Sequence, residues 1–152
     1  MNLLLNTLIF LTIFGADRIT KWWALTTLST TPWNVCYGFN LLISWNRGVS
    51  WSMFATDGAL GFWLLTAIIM AMVLGCAIYT LYRILNHLPA LAEIVVLAGA
   101  LSNVIDRLWF GAVLDFIELY VGTWHWPVFN IADSMILLGV AGIFYRMWRN
   151  NE

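Results

Sequence analysis

Four long apolar runs divide the chain: Leu3 to Leu25, Ala59 to Leu81, Pro89 to Trp109 and Val128 to Trp148. A helix needs about 20 residues to cross the hydrocarbon core of a bilayer, so each run predicts a membrane-spanning helix. The first is interrupted late by Asp17, Arg18 and Lys21. Its early part imitates a signal peptide ending at Gly15-Ala16. It has no basic leading region, however, and apolar sequence resumes after Lys21, so it reads as a retained helix. Between the first two runs the period changes. Apolar residues fall at Tyr37, Phe39, Leu41, Ile43 and Trp45, the alternation of a strand with one apolar face. Asn46 to Gly48 then supplies turn residues. Neither an internal repeat nor a low-complexity segment interrupts this order. The pattern predicts an all-α integral membrane protein. It is one domain over 1-152: a four-transmembrane-helix bundle with a small β-sheet or loop region on its outer face. The outer loops are 26-58 and 110-127.

Composition agrees. The chain is 62% hydrophobic and 10% charged, with a mean hydropathy of +0.83, whereas soluble domains carry about 25% charged residues. The net charge of -1 suggests no nucleic-acid partner. Cys36 and Cys76 lie in unlike settings, a loop and an apolar run, which argues against a disulfide and shows no metal spacing. His87 and His125 fall on opposite sides of the membrane, against a shared haem or metal. No cofactor is expected.

With the amino terminus in the cytoplasm, Arg83, Arg146 and Arg149 fall inside, as the positive-inside rule requires. Arg18, Lys21, Arg47 and Arg107 then fall at the outer end. A bare count of positive charges does not favour this orientation. Arg18, Lys21 and Arg107 neighbour acids, though, and can pair within the fold. Trp148 alone marks the inner end, while the other nine tryptophans lie at or near the outer end, a composition suited to the headgroup zone.

In this topology Asp17, Asn46, Asn103, Asp106, Asp115, Asn130 and Asp133 all converge on the outer end of the bundle. Ionisable residues at membrane depth are costly and by default mark function. Each also has a plainer explanation. Asn130 and Asp133 suit a helix N-terminus, as a cap and a first-turn acid. Asp17 and Lys21 are four apart on a helix and make an ion pair. Asp106, late in its helix where an acid opposes the dipole, is expected to be neutralised by Arg107 in a structural polar knot. Asn46 with Gly48 reads as a turn, Glu93 as an interfacial charge and His125 as an interfacial residue. Asp115, inside the apolar segment VLDFIEL, is explained least easily. If that segment folds back over the bundle, Asp115 meets Asp133. Two close carboxylates share a proton and provide a general acid and a general base together.

A proton or cation relay and a structural subunit with buried ion pairs are the other readings of such a cluster. A relay spreads acids through the membrane's depth; here they gather at one end.

Five segments in order carry a resemblance: DRITK (Asp17 to Lys21), NRGVSW (Asn46 to Trp51), GALSNVIDR (Gly99 to Arg107), VLDF (Val113 to Phe116) and PVFNIAD (Pro127 to Asp133). Together they resemble the lipoprotein signal peptidase (signal peptidase II) family. Arg18 stands where that pattern usually has glutamine, Ser102 where it has glycine, and Ser50 and Trp51 where it has alanine and phenylalanine. The resemblance implies a bacterial inner-membrane aspartyl endopeptidase, multi-pass, with its active site toward the periplasm. Such an enzyme cuts diacylglyceryl-modified prolipoproteins just before the lipidated cysteine. It implies Asp115 and Asp133 as the catalytic pair, with Asn46, Gly48, Asn103, Asp106, Arg107 and Asn130 in support and Asp17 and Lys21 as a structural pair. No metal or cofactor is implied. The partners are the prolipoprotein and membrane lipid, and the enzyme acts as a monomer. An apolar signal peptide approaches laterally through lipid, framed by the Tyr37–Trp45 strand and the VLDFIEL segment.

Overall fold

A computed structural model describes residues 3–48 and 58–150. The elements in chain order are α1 (Leu3–Thr27), β1 (Trp33–Cys36), β2 (Phe39–Asn46), α2 (Ala59–Leu85), α3 (Leu91–Phe110), β3 (Val113–Val121), β4 (Trp124–His125) and α4 (Ile131–Arg149). The four helices fall where the apolar runs predict, with ends displaced by a few residues. Three of them, α1, α2 and α4, are long and apolar enough to cross a membrane. Helix α3 has 20 residues but carries Glu93, Asp106 and Arg107. All three of these charged side chains are buried, at 0%, 0% and 4% exposure.

Helices α3 and α4 approach through small residues, the usual means of close helix packing in membranes. A Cβ on Gly99 would lie 2.6 Å from the carbonyl oxygen of Ala132, and one on Gly139 would lie 2.8 Å from that of Ala92. Gly99 therefore seats the first turn of α4 against α3. Asn103, one turn further along the same face of α3, is thereby brought level with Asp133.

The strands form one antiparallel sheet in the order β1-β2-β3-β4. The segment predicted as a single strand from Tyr37 is a hairpin: Tyr37 and Gly38 are its turn, and β1 precedes it. An irregularity in β2 between Leu41 and Ser44 places Ser44 opposite Asp115 on β3. VLDFIEL is thus the strand next to β2, so the two segments expected to frame a site from opposite sides are neighbours in the sheet. Ala24, Leu114 and Phe116 form a buried apolar cluster, with Leu28, Ile43 and Ile131 packed against it. It locks the end of α1 and the start of α4 under the sheet. Helix α3 ends at Gly111, whose φ of 69° is left-handed and whose N–H caps the carbonyl of Arg107. That C-cap turns the chain straight into β3.

At the opposite end of the bundle Glu93 is fully buried rather than interfacial. It accepts from Arg146 of α4 and lies 3.3 Å from Arg83 of α2. A carboxylate with no exposure requires such partners, and this one ties three helices together. His125 is half-exposed, 3.0 Å from Glu118 and stacked on Tyr120. The two cysteines are free, Cys36 exposed and Cys76 half-buried. Ser50 and Trp51 lie outside the described residues.

Candidate active site

The site is assembled from β3, the first turn of α4, α3, α1 and the turn after β2. Asn130 is the N-cap of α4. Its side-chain oxygen accepts from the Asp133 N–H at 2.9 Å, and the Asp133 carboxylate accepts from the Asn130 N–H at 3.3 Å. This reciprocal box satisfies two otherwise unpaired helix N–H groups. The Asn130 amide nitrogen also donates to Asp115 Oδ1 at 2.6 Å. One asparagine therefore holds both carboxylates, and capping and steering are the same act.

The outer oxygens are held too. Asn103 Nδ2 donates to Asp133 Oδ1 at 2.8 Å, and Asn46 Nδ2 to Asp115 Oδ2 at 3.1 Å. Asn46 is oriented by the Gly48 N–H, which donates to its oxygen at 2.9 Å. Arg107 donates to the carbonyls of Arg47 and Gly48 and lies over the ring of Phe62. The turn at 46–48 is thus clamped from both sides. Burial, then the charge of Asp133, push the Asp115 carboxyl up to about 7 against the pull of Asn46, Asn130 and Lys21.

Behind these residues lies a second, fully buried layer. Lys21 Nζ reaches Asp17 at 2.9 Å, Asp106 at 2.8 Å and the Asn103 oxygen at 2.7 Å. An ammonium has three N–H donors, and all three are used. With the Asn103 oxygen facing Lys21, its amide nitrogen must face Asp133. Asp17 Oδ1 accepts from the N–H of Ala132, and Asp106 Oδ2 from the N–H of Leu114. Each buried acid therefore pins the backbone one residue ahead of one of the paired aspartates.

The expected Asp17–Lys21 pair is present, enlarged by Asp106. The expected pairing of Asp106 with Arg107 is replaced. Successive helix residues point about 100° apart, so Asp106 turns to α1 and meets Lys21 and Arg18, while Arg107 turns to the 46–48 turn. Arg18 Nη2 lies 2.6 Å from Asp106 Oδ1, and the Ser102 hydroxyl donates to Asp17 at 2.6 Å. Sequence reasoning singled out neither as a site residue. The signal was their departure from the pattern, since an added arginine and hydroxyl on apolar helices need partners.

An apolar groove of about 760 Å³ opens beside the pair, with Asn46, Asn103, Arg107 and Asp133 among its lining and Leu64 and Ile68 of α2 on its wall. Among the described residues no group of three or more His, Cys, Asp or Glu side chains could hold a metal ion.

A family profile described as Signal peptidase (SPase) II matches residues 9–149. The chain is 39% identical over 136 residues to a lipoprotein signal peptidase of Methylorubrum extorquens, covering 88% of this chain and 79% of that one. It is 37% identical over 137 residues to one from Burkholderia mallei, covering 85% and 78%. A solved bacterial membrane enzyme, determined by the in meso method at 1.9 Å, is similar with a TM-score of 0.78 at 25% identity, over 95% of this chain and 93% of that one. A second, at 2.3 Å, has a TM-score of 0.82 at 24% identity over 99% and 91%, a likeness of fold. The segments from Asp17 to Asp133 and the extent of these matches lead to one conclusion: the chain belongs to the signal peptidase II family.

Proposed function

We propose that the chain removes signal peptides from diacylglyceryl-modified prolipoproteins, cutting just before the lipidated cysteine, with Asp115 and Asp133 as the catalytic pair. The observation that carries this is the placement of the two carboxylates. They come from different elements and share Asn130 as a donor-and-acceptor bridge, and Asp133 lines an apolar groove.

Close carboxylates share one proton. Asp115, pushed up to about 7, carries it, and Asp133 is the base. Asp133 takes a proton from water as the water attacks the carbonyl carbon of the scissile bond. Asp115 gives its proton toward the carbonyl oxygen. The resulting diol collapses, the C–N bond breaks, and the leaving amine is the amino group of the modified cysteine. Asn46, on the wall of the groove, meets substrate backbone; the buried Gly48 and Asn130 orient Asn46 and the two carboxylates; Asn103, Asp106 and Arg107 hold the frame; Asp17 and Lys21 are structural.

All four helices cross the membrane in this reading. Helix α3 tolerates lipid because its three charges are turned inward and paired or bonded. The amino terminus is cytoplasmic and the pair lies at the periplasmic face of the inner membrane. There the groove receives an apolar signal peptide laterally while its acyl chains stay in the bilayer. One copy contains every residue named, so the working unit is a monomer within membrane lipid.

The test is cleavage of a diacylglyceryl-modified prolipoprotein by purified protein in detergent, followed by mass. Wild type is expected to cut. Asp115→Asn and Asp133→Asn are expected to elute as folded protein and to lose at least about a thousandfold in rate, the scale of losing an acid–base group. Cleavage surviving in either folded variant removes that residue from the reaction.

A further inference from the structure

Two residues that hold the buried layer have no role in the reading above. Arg18 is on α1, its side chain 24% exposed. It sends one guanidinium nitrogen to Asp106 Oδ1 at 2.6 Å and the other to the Ser102 carbonyl at 3.1 Å. Ser102 is fully buried, and its hydroxyl donates to Asp17 Oδ2 at 2.6 Å. The two thus meet each other, and each holds one of the acids that Lys21 bridges.

Charge makes the arrangement consequential. Lys21 faces two carboxylates, Asp17 and Asp106. With Arg18 present the four charges cancel, and Lys21 has a donor left for Asn103, which in turn donates to Asp133. With a neutral residue at position 18 the layer carries a net negative charge directly behind two more aspartates. Those acids also fix the N–H groups of Leu114 and Ala132, so any shift in them reaches Asp115 and Asp133 through one peptide unit.

We propose that Arg18 and Ser102 are positioning residues for the peptidase reaction, a coupled pair that balances the charge behind the catalytic aspartates and holds their backbone anchors in place. The proposal rests on the peptidase reading. Asp133 of α4, Lys21 of α1 and Arg107 of α3 act on Asp115 directly, and Asp17 and Arg18 of α1 and Asp106 of α3 lie in the network behind it. On the β2 side Asn46 is uncharged, and the Arg47 residue beyond it is exposed. Removing one positive charge from this set disfavours ionisation of the pair, so both limbs of the pH–rate profile move to higher pH.

The experiment is the pH–rate profile of prolipoprotein cleavage for wild type, Asp115→Asn, Arg18→Gln, Arg18→Lys and Ser102→Ala, with thermal unfolding in the same detergent. Arg18→Gln is expected to move the limbs up by about half a pH unit, the size of one partly screened charge. On the acidic limb that is about a threefold loss of rate at fixed pH. Arg18→Lys keeps the charge and is expected to keep the limbs. Ser102→Ala is expected to lower the rate without moving them. If Arg18→Gln does not fold, the double variant Arg18→Gln with Ser102→Gly, which restores the residues of the family pattern, is expected to show the same upward movement. A purely structural role for Arg18 would lower the unfolding temperature and leave the limbs superposed on wild type, which overturns the proposal. In that case wild-type cleavage, lost in Asp115→Asn, leaves the peptidase reading standing. A wild type without cleavage overturns both.

Discussion

Asn130 shows how much one side chain decides at this site. Its oxygen caps α4 through the Asp133 N–H, and its amide nitrogen reaches Asp115. The amide must point one way for both bonds to form, so the cap fixes the bridge. The same logic orients Asn103, whose oxygen is occupied by Lys21. These bonds hold two acids whose charges oppose each other. Burial first, and Asp133 second, push the Asp115 carboxyl up to about 7. In the proposed reaction it is the proton donor and must be protonated to act. The rate is therefore expected to fall as pH rises through about 7, in a limb that tracks Asp115 ionisation. A pH–rate profile at saturating substrate checks this; a rate still rising at pH 8.5 would remove Asp115 as the donor. At this scale the sequence singled out candidate residues but not which neighbour each one meets. Asp106 and Arg107 are adjacent in sequence and bond in different directions, because the helix turns between them.

Among the elements, the decisive contact is between α3 and α4. Gly99 leaves no room for a side chain: an added Cβ would stand 2.6 Å from the Ala132 carbonyl. Ala132 is also the residue whose N–H Asp17 holds and which precedes Asp133. Gly99→Ala is therefore expected to push the first turn of α4 away from Asn103. Overpacking of this kind costs about 1–3 kcal/mol of stability, and a displacement near 1 Å costs roughly a hundredfold in rate. Cleavage rate and thermal unfolding, measured together, separate the two effects. A variant with wild-type rate would show that α4 need not seat this closely. The strands were only partly legible. Alternation at Tyr37 to Trp45 marked extended chain, but the hairpin turn at Tyr37-Gly38 broke the run, and the irregularity opposite Asp115 left no periodic trace. Register depends on a partner strand some seventy residues away, as Asn46 opposite Val113 shows.

For the whole molecule, the outward faces of α1, α2 and α4 present large apolar side chains such as Leu4, Met72 and Leu137, each about 70% exposed, a surface suited to lipid. The two ends are built differently. One end joins sheet and helices through the aspartate network, and the other joins three helices through Glu93 with Arg83 and Arg146. The proposed orientation puts Arg83, Arg146 and Arg149 inside, and Cys36 reports on it. The cysteine is exposed on β1, so a membrane-impermeant maleimide added to spheroplasts is expected to label it without permeabilisation. An Arg149→Cys, Cys36→Ser variant should label only after permeabilisation. The reverse pattern would invert the topology.

Hydrophobic spacing alone determined four helices, their approximate ends and the gathering of polar residues at one end. Those features follow from chain direction and the length needed to cross lipid, which are local properties. The motifs from Asp17 to Asp133 likewise pointed to the family. Tertiary structure decided what depends on partners distant in sequence. It brought Asp115 and Asp133 to one asparagine, turned Asp106 toward Lys21 and Arg18, buried Glu93 between two arginines, and set Ser44 opposite Asp115. In a low-dielectric interior a charge has to find its counter-charge wherever the packing brings one, and helix-to-helix packing is not written in the spacing of any single segment.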